Sequence, residues 1–136
     1  MNTSRYLARA FGLGGLSIIL IGLVTQGRLL DAMIESMAEP SYLLSSGLMT
    51  LIIGVAIVVG HNIWDGSWRV VITVVGYLSL VKGFVILVWP EAMVKIVNGM
   101  VESGAIWGQM AFGMVFYGWM AWLGFRREKE VTETAS

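Results

Sequence analysis

Four mostly apolar stretches fill most of this 136-residue chain, and each is long enough to cross a lipid bilayer. They run over about 10–27, 40–63, 69–89 and 103–125, and Lys82 is the one formally charged side chain well inside any of them. At about 1.5 Å per helical residue, runs of about 18 to 24 residues reach about 27–36 Å, close to the ~30 Å of a hydrocarbon core. The pattern predicts an all-α protein: an integral membrane four-helix bundle in one membrane domain covering 1–136. Composition agrees. Only 13% of residues are charged, against about a quarter in a soluble domain, so too little polar surface remains to solvate a globule of this size.

Arg5 and Arg9 precede the first run in the manner of a signal peptide, but the run is long and no small-x-small pattern follows near Val24–Arg28. It reads as an uncleaved first span. Between the first two spans, at about 29–39, apolar residues at 29, 30, 33, 34 and 37 alternate with acids at 31, 35 and 39. That is helical spacing with two faces, too short and too charged to span, and it predicts a helix lying along the membrane interface. Pro40 then opens the second span, where its missing N–H is tolerated. A second amphipathic stretch follows Trp89-Pro90 at about 91–102, with Asn98-Gly99 expected to interrupt it. Met33, Met37, Met93 and Met100 give both stretches deformable apolar faces. Between the second and third spans, Asp65-Gly66 signals a turn, and so short a link forces an antiparallel helical hairpin.

Four spans place both termini and the 64–68 link on one side. That side holds Arg5, Arg9, Arg69, Arg126, Arg127 and Lys129, whereas the other loops hold only Arg28 and Lys95. The excess of basic residues marks the cytoplasmic side and sets both amphipathic helices on the outer side. A polar tail expected to fray ends the chain. The halves also echo each other: Leu16-Ser17 and Leu78-Ser79, Asp31-Ala32-Met33 and Glu91-Ala92-Met93. A duplication in this order would be parallel, as in some transporters.

Two groups of residues are candidates for function. Lys82 has no acid within any span to pair with; Gln26 and Gln109, with Thr25, Ser45 and Ser46, lie toward the same outer side and offer oxygen acceptors. An intramembrane lysine faces protein, water or the interface, so this group is either a site for an anion, lipid headgroup or carboxylate, or a lysine whose stem carries its ammonium to the headgroups. The second group is the turn His61, Asn62, Trp64, Asp65, Trp68 and Arg69. Tryptophans suit the headgroup zone, Asp65 and Arg69 are spaced to pair, and His61 is either a structural residue of the turn or a pH-responsive one.

Other chemistry lacks its residues. There is no cysteine and a single histidine, so neither a disulfide, a thiolate metal site nor a bis-histidine haem is available, and no cofactor is expected. No nucleophile motif accompanies the serines. Small residues recur four apart, as Ala10/Gly14, Ser46/Thr50/Gly54, Ser79/Gly83 and Gly104/Gly108, a spacing that lets membrane helices approach closely.

The run His61-Asn62-x-Trp64-x-Gly66-x-Trp68-Arg69, followed by Thr73, Gly76, Lys82-Gly83 and Trp89-Pro90, resembles a family of small bacterial four-span integral membrane proteins with no assigned activity. The resemblance covers about residues 45–95 and implies architecture and a bacterial inner-membrane location, nothing catalytic. The expectation is a non-enzymatic membrane protein whose partners are the bilayer and either further copies of itself or a larger membrane complex, with no nucleic acid. The alternative is a small-solute or ion transporter or channel built on Lys82.

Overall fold

The computed structural model describes residues 3–126 and is all-helical: α1 (Thr3–Val24), α2 (Arg28–Ser36), α3 (Pro40–Gly60), α4 (Arg69–Val88), α5 (Pro90–Glu102) and α6 (Ala105–Phe125). Arg127, Glu128, Lys129 and the polar tail lie outside the described residues. Three helices, α1, α3 and α4, are long and apolar enough to cross a membrane. The fourth long helix, α6, carries no charge, but Trp107, Gln109, Tyr117, Trp119 and Trp122 lower its hydropathy.

The long helices form two antiparallel pairs, α1 with α6 and α3 with α4. Glycines set how close each pair comes. A Cβ on Gly12 would land on the backbone of Ala121, and one on Gly54 or Gly83 on the backbone of Leu80 or Leu51. Without a hydrophobic force between helices in lipid, such backbone proximity is what packing has to work with. The expected stripes are right for Gly54 and Gly83. They miss on α1 and α6, where Ala10 is exposed and Gly14, Gly104 and Gly108 face open space. The packed stripe of α1 runs instead through Ser4, Ala8 and Gly12.

The pairs meet at one end. There Ala8, Ile57, Ile72 and Met120 form a buried cluster, with Leu7, Phe11, Trp68, Val71 and Phe116 against it. This is the end that holds Arg5, Arg9, Arg69 and Arg126. At the other end, Met37, Pro40, Leu43, Leu87 and Val94 are among the residues lining an apolar groove of about 680 Å³.

The halves correspond at an offset of 64 residues (88 minus 24), which carries the end of α1 at Val24 onto the end of α4 at Val88. The same offset carries α3 to within one residue of α6. It also carries the contact of Gly12 with Ala121 onto that of Gly76 with Ile57. The echoes visible in the sequence lie a few residues out of this register, because chance matches between apolar helices drift freely.

Three helices depart most from the expected limits. The first helix starts at Thr3, not near residue 10, because Ser4 and Ala8 are already buried against the junction. It stops at Val24 in a Schellman motif: Gln26 takes a left-handed φ of 53°, its amide bonds the carbonyl of Leu23, and the Gly27 amide bonds that of Gly22. The second long helix ends at Gly60 rather than 63. Finally, α5 runs unbroken through Asn98-Gly99; its apolar face outweighs the modest cost of one internal glycine.

Candidate functional site: a buried polar brace

The turn motif sits where the helix pairs meet, and its histidine points inward. His61 is 2% exposed, Ser4 1% and Thr73 0%. They form one hydrogen-bonded chain across the junction: His61 Nε2 lies 2.8 Å from Ser4 Oγ on α1, and His61 Nδ1 lies 3.3 Å from Thr73 Oγ1 on α4. One side chain thus ties the end of α3 to the first turns of two other helices.

Local structure explains why the helix gives way here. Beyond Gly60 the chain leaves helical geometry, with His61 at φ −145°, and residues 61–64 form no regular element. Their backbone groups need partners away from water, and Thr73 supplies them. Its Oγ1 accepts from the Ile63 amide at 3.1 Å and faces the carbonyls of His61 at 3.0 Å and Ile63 at 3.1 Å. A hydroxyl has one proton to give. The two carbonyls lie nearer to Thr73 Oγ1 than His61 Nδ1 does.

The rest of the motif forms the outer face of the turn. Trp64 Nε1 donates to Asn62 Oδ1 at 2.6 Å, and the Trp64 ring leans on Tyr77 with centroids 5.9 Å apart. Gly66 takes a left-handed φ of 71°. Asp65 accepts from the Ser67 hydroxyl at 2.6 Å and the Ser67 amide at 3.1 Å, and forms the expected ion pair with Arg69. These bonds, Ser67's hydroxyl first, hold the exposed Asp65 carboxyl below the usual carboxylate range. Trp68, expected at the interface, packs on the buried cluster. A second brace lies across α1 and α6, where Arg9 Nε donates to the Gly124 carbonyl at 2.7 Å and its guanidinium stacks over Phe125.

The other candidate group does not converge. Lys82, Gln26 and Gln109 are all exposed, and no hydrogen bond or ion pair links them. Gln26 caps a helix end, as described above. Sequence reasoning singled out His61 but not Ser4; the signal available was its place four residues before Ala8 and eight before Gly12, on one small-residue stripe. Thr73 stood in the motif without a role; it holds the centre of the brace. No buried side-chain nitrogen or oxygen among the described residues lacks a partner. Chemically, the hydrogen bonds of this cluster brace the end of α3 against α1 and α4.

Compared with protein-family models, curated proteins and solved structures, the chain shows no match to any. The functional reading therefore rests on geometry.

Proposed function

We propose that this chain is a non-catalytic inner-membrane protein with four spans, acting as a self-associating or accessory subunit of a larger membrane assembly. The observation that carries this reading is the use of its buried polar groups. Buried His61 bonds Ser4 and Thr73, and Thr73 also bonds the backbone, while apolar surface is left outward: Leu20, Val24, Val59 and Val115 are each at least 62% exposed. Such a surface suits lipid and other membrane helices, not water.

The fourth span is α6. It packs along α1 as its antiparallel partner and matches it in length, 21 residues against 22, so a bilayer crossed by one is crossed by the other. The basic end, with the 61–68 link, is cytoplasmic. Helices α2 and α5 lie at the outer interface, with Asp31 and Glu91 in their first turns, where acids favour the helix dipole.

Native mass spectrometry of the protein, extracted mildly from its own membrane, tests the reading. A defined assembly, of copies or with another polypeptide, is the expected result. A lone chain that retains a solute and assembles with nothing contradicts it and favours transport.

A further inference from the structure

Lys82 is the feature that the bracing role leaves over. It is exposed on α4 and, among the described residues, has no hydrogen-bond or ion-pair partner. Its helical register is informative. Counting back by three, seven and eleven residues gives Ser79, Val75 and Val71, one stripe of α4. Val71 and the adjoining Ile72 pack on the cluster that contains Ala8 of α1. Lys82 therefore stands on the stripe of α4 that, nearer the start of the helix, packs toward α1.

Its depth argues against simple escape to the headgroups. Lys82 precedes Val88, the last residue of α4, by six residues, about 9 Å along the axis. Side chains in a helix lean toward its N-terminus, and α4 starts at the cytoplasmic end. The lysine stem thus sets out toward the bilayer centre, away from the nearer, outer surface. A second copy of this chain brings no counter-charge at that depth, because α1, α3, α4 and α6 contain no aspartate or glutamate.

We propose that Lys82 is the docking point for a membrane helix of a different protein, one that carries a carboxylate at mid-membrane depth and packs along this stripe of α4. This rests on the four-span subunit reading and names the partner's chemistry. Charge complementarity selects the occupant: an unpaired ammonium at membrane depth is costly, and an aspartate or glutamate on an apolar helix is the partner that neutralises it there.

The test uses the full chain in neutral phosphatidylcholine vesicles, in mildly alkaline buffer, with fluorescent synthetic Leu/Ala helices of about 20 residues. These carry a single central glutamate, glutamine or lysine. By energy transfer, the glutamate helix is expected to associate about tenfold more tightly than the glutamine helix, the scale of one interhelical polar contact, and the lysine helix not at all. Lys82→Met abolishes that preference and Lys82→Arg keeps it. Equal association of all three helices, or a preference that survives Lys82→Met, overturns the proposal. So does loss of the glutamate helix when phosphatidylglycerol is added, which makes a lipid phosphate the occupant. A chain that fails to insert overturns the four-span reading itself, whereas insertion without discrimination overturns this inference alone.

Discussion

Thr73 does more for the junction than any other single side chain. One hydroxyl accepts from the Ile63 amide and has the His61 and Ile63 carbonyls and the His61 ring within reach of its single proton, so Thr73→Val, nearly the same shape, leaves the amide and an acceptor without their partner. A loss of about 1–3 kcal/mol is expected from such an unsatisfied site, read as a lower thermal midpoint in detergent. Ser4→Ala, combined with it in a double-mutant cycle, shows coupling if the chain acts as a unit. Asp65 makes a separate, pH-dependent contribution. Its folded pKa lies below its unfolded one, so its stabilisation is present above the ordinary carboxylate range and fades as pH falls through the folded value. Ser67→Ala is expected to move the Asp65 titration upward, which carboxyl NMR checks directly. At this scale the sequence told half the story. His61 stood out in the densest polar run of the chain, but its partners lie 57 and 12 residues away, and a lone hydroxyl between apolar neighbours looks alike whether it braces or merely fills.

The helices themselves were largely legible, because long uncharged runs leave the backbone no other way to satisfy its hydrogen bonds in lipid. Their ends were not. The stop at Val24 depends on Gln26 accepting a left-handed conformation, which glycine does readily and glutamine rarely, so composition gave no warning. Which small residues pack was also partly hidden, since a glycine-rich helix offers a small stripe on more than one side. The structure separates them, and substitution tests the separation. Gly12→Leu drives a side chain into the Ala121 backbone and Gly83→Leu into that of Leu51; each is expected to cost at least about 1–3 kcal/mol from overpacking. Gly14→Leu meets open space and is expected to be neutral or slightly favourable, since leucine is the better helix former. Thermal midpoints of the three variants, side by side, decide the matter. Equal losses at all three sites contradict the assigned packing faces.

The whole molecule is two helix pairs held together at their basic end. The α1/α6 pair and the α3/α4 pair correspond under exchange of the halves, and that exchange gives each half a long helix, an amphipathic helix and a long helix. Four spans are expected to set both ends of the chain and the central link on one side, and among the described residues Ser4, Arg9, His61 and Gly124 come together at one end. The pairing of first helix with last was out of reach: it rests on shape, on Gly12 against Ala121 and Gly124 against Arg9, and periodicity alone does not name a partner. The central claim is that all four long helices cross one membrane. Because the chain has no cysteine, single-cysteine variants report topology without background. The measurement is labelling by a membrane-impermeant maleimide, in intact and lysed cells, of Glu39→Cys, Asn62→Cys, Ser103→Cys and Arg126→Cys. The account predicts that the variants at 39 and 103 label in intact cells, and that those at 62 and 126 label only after lysis. Labelling at 126 from outside would leave α6 short of a crossing, and opposite sides for 39 and 103 would break the paired architecture; either result contradicts the account.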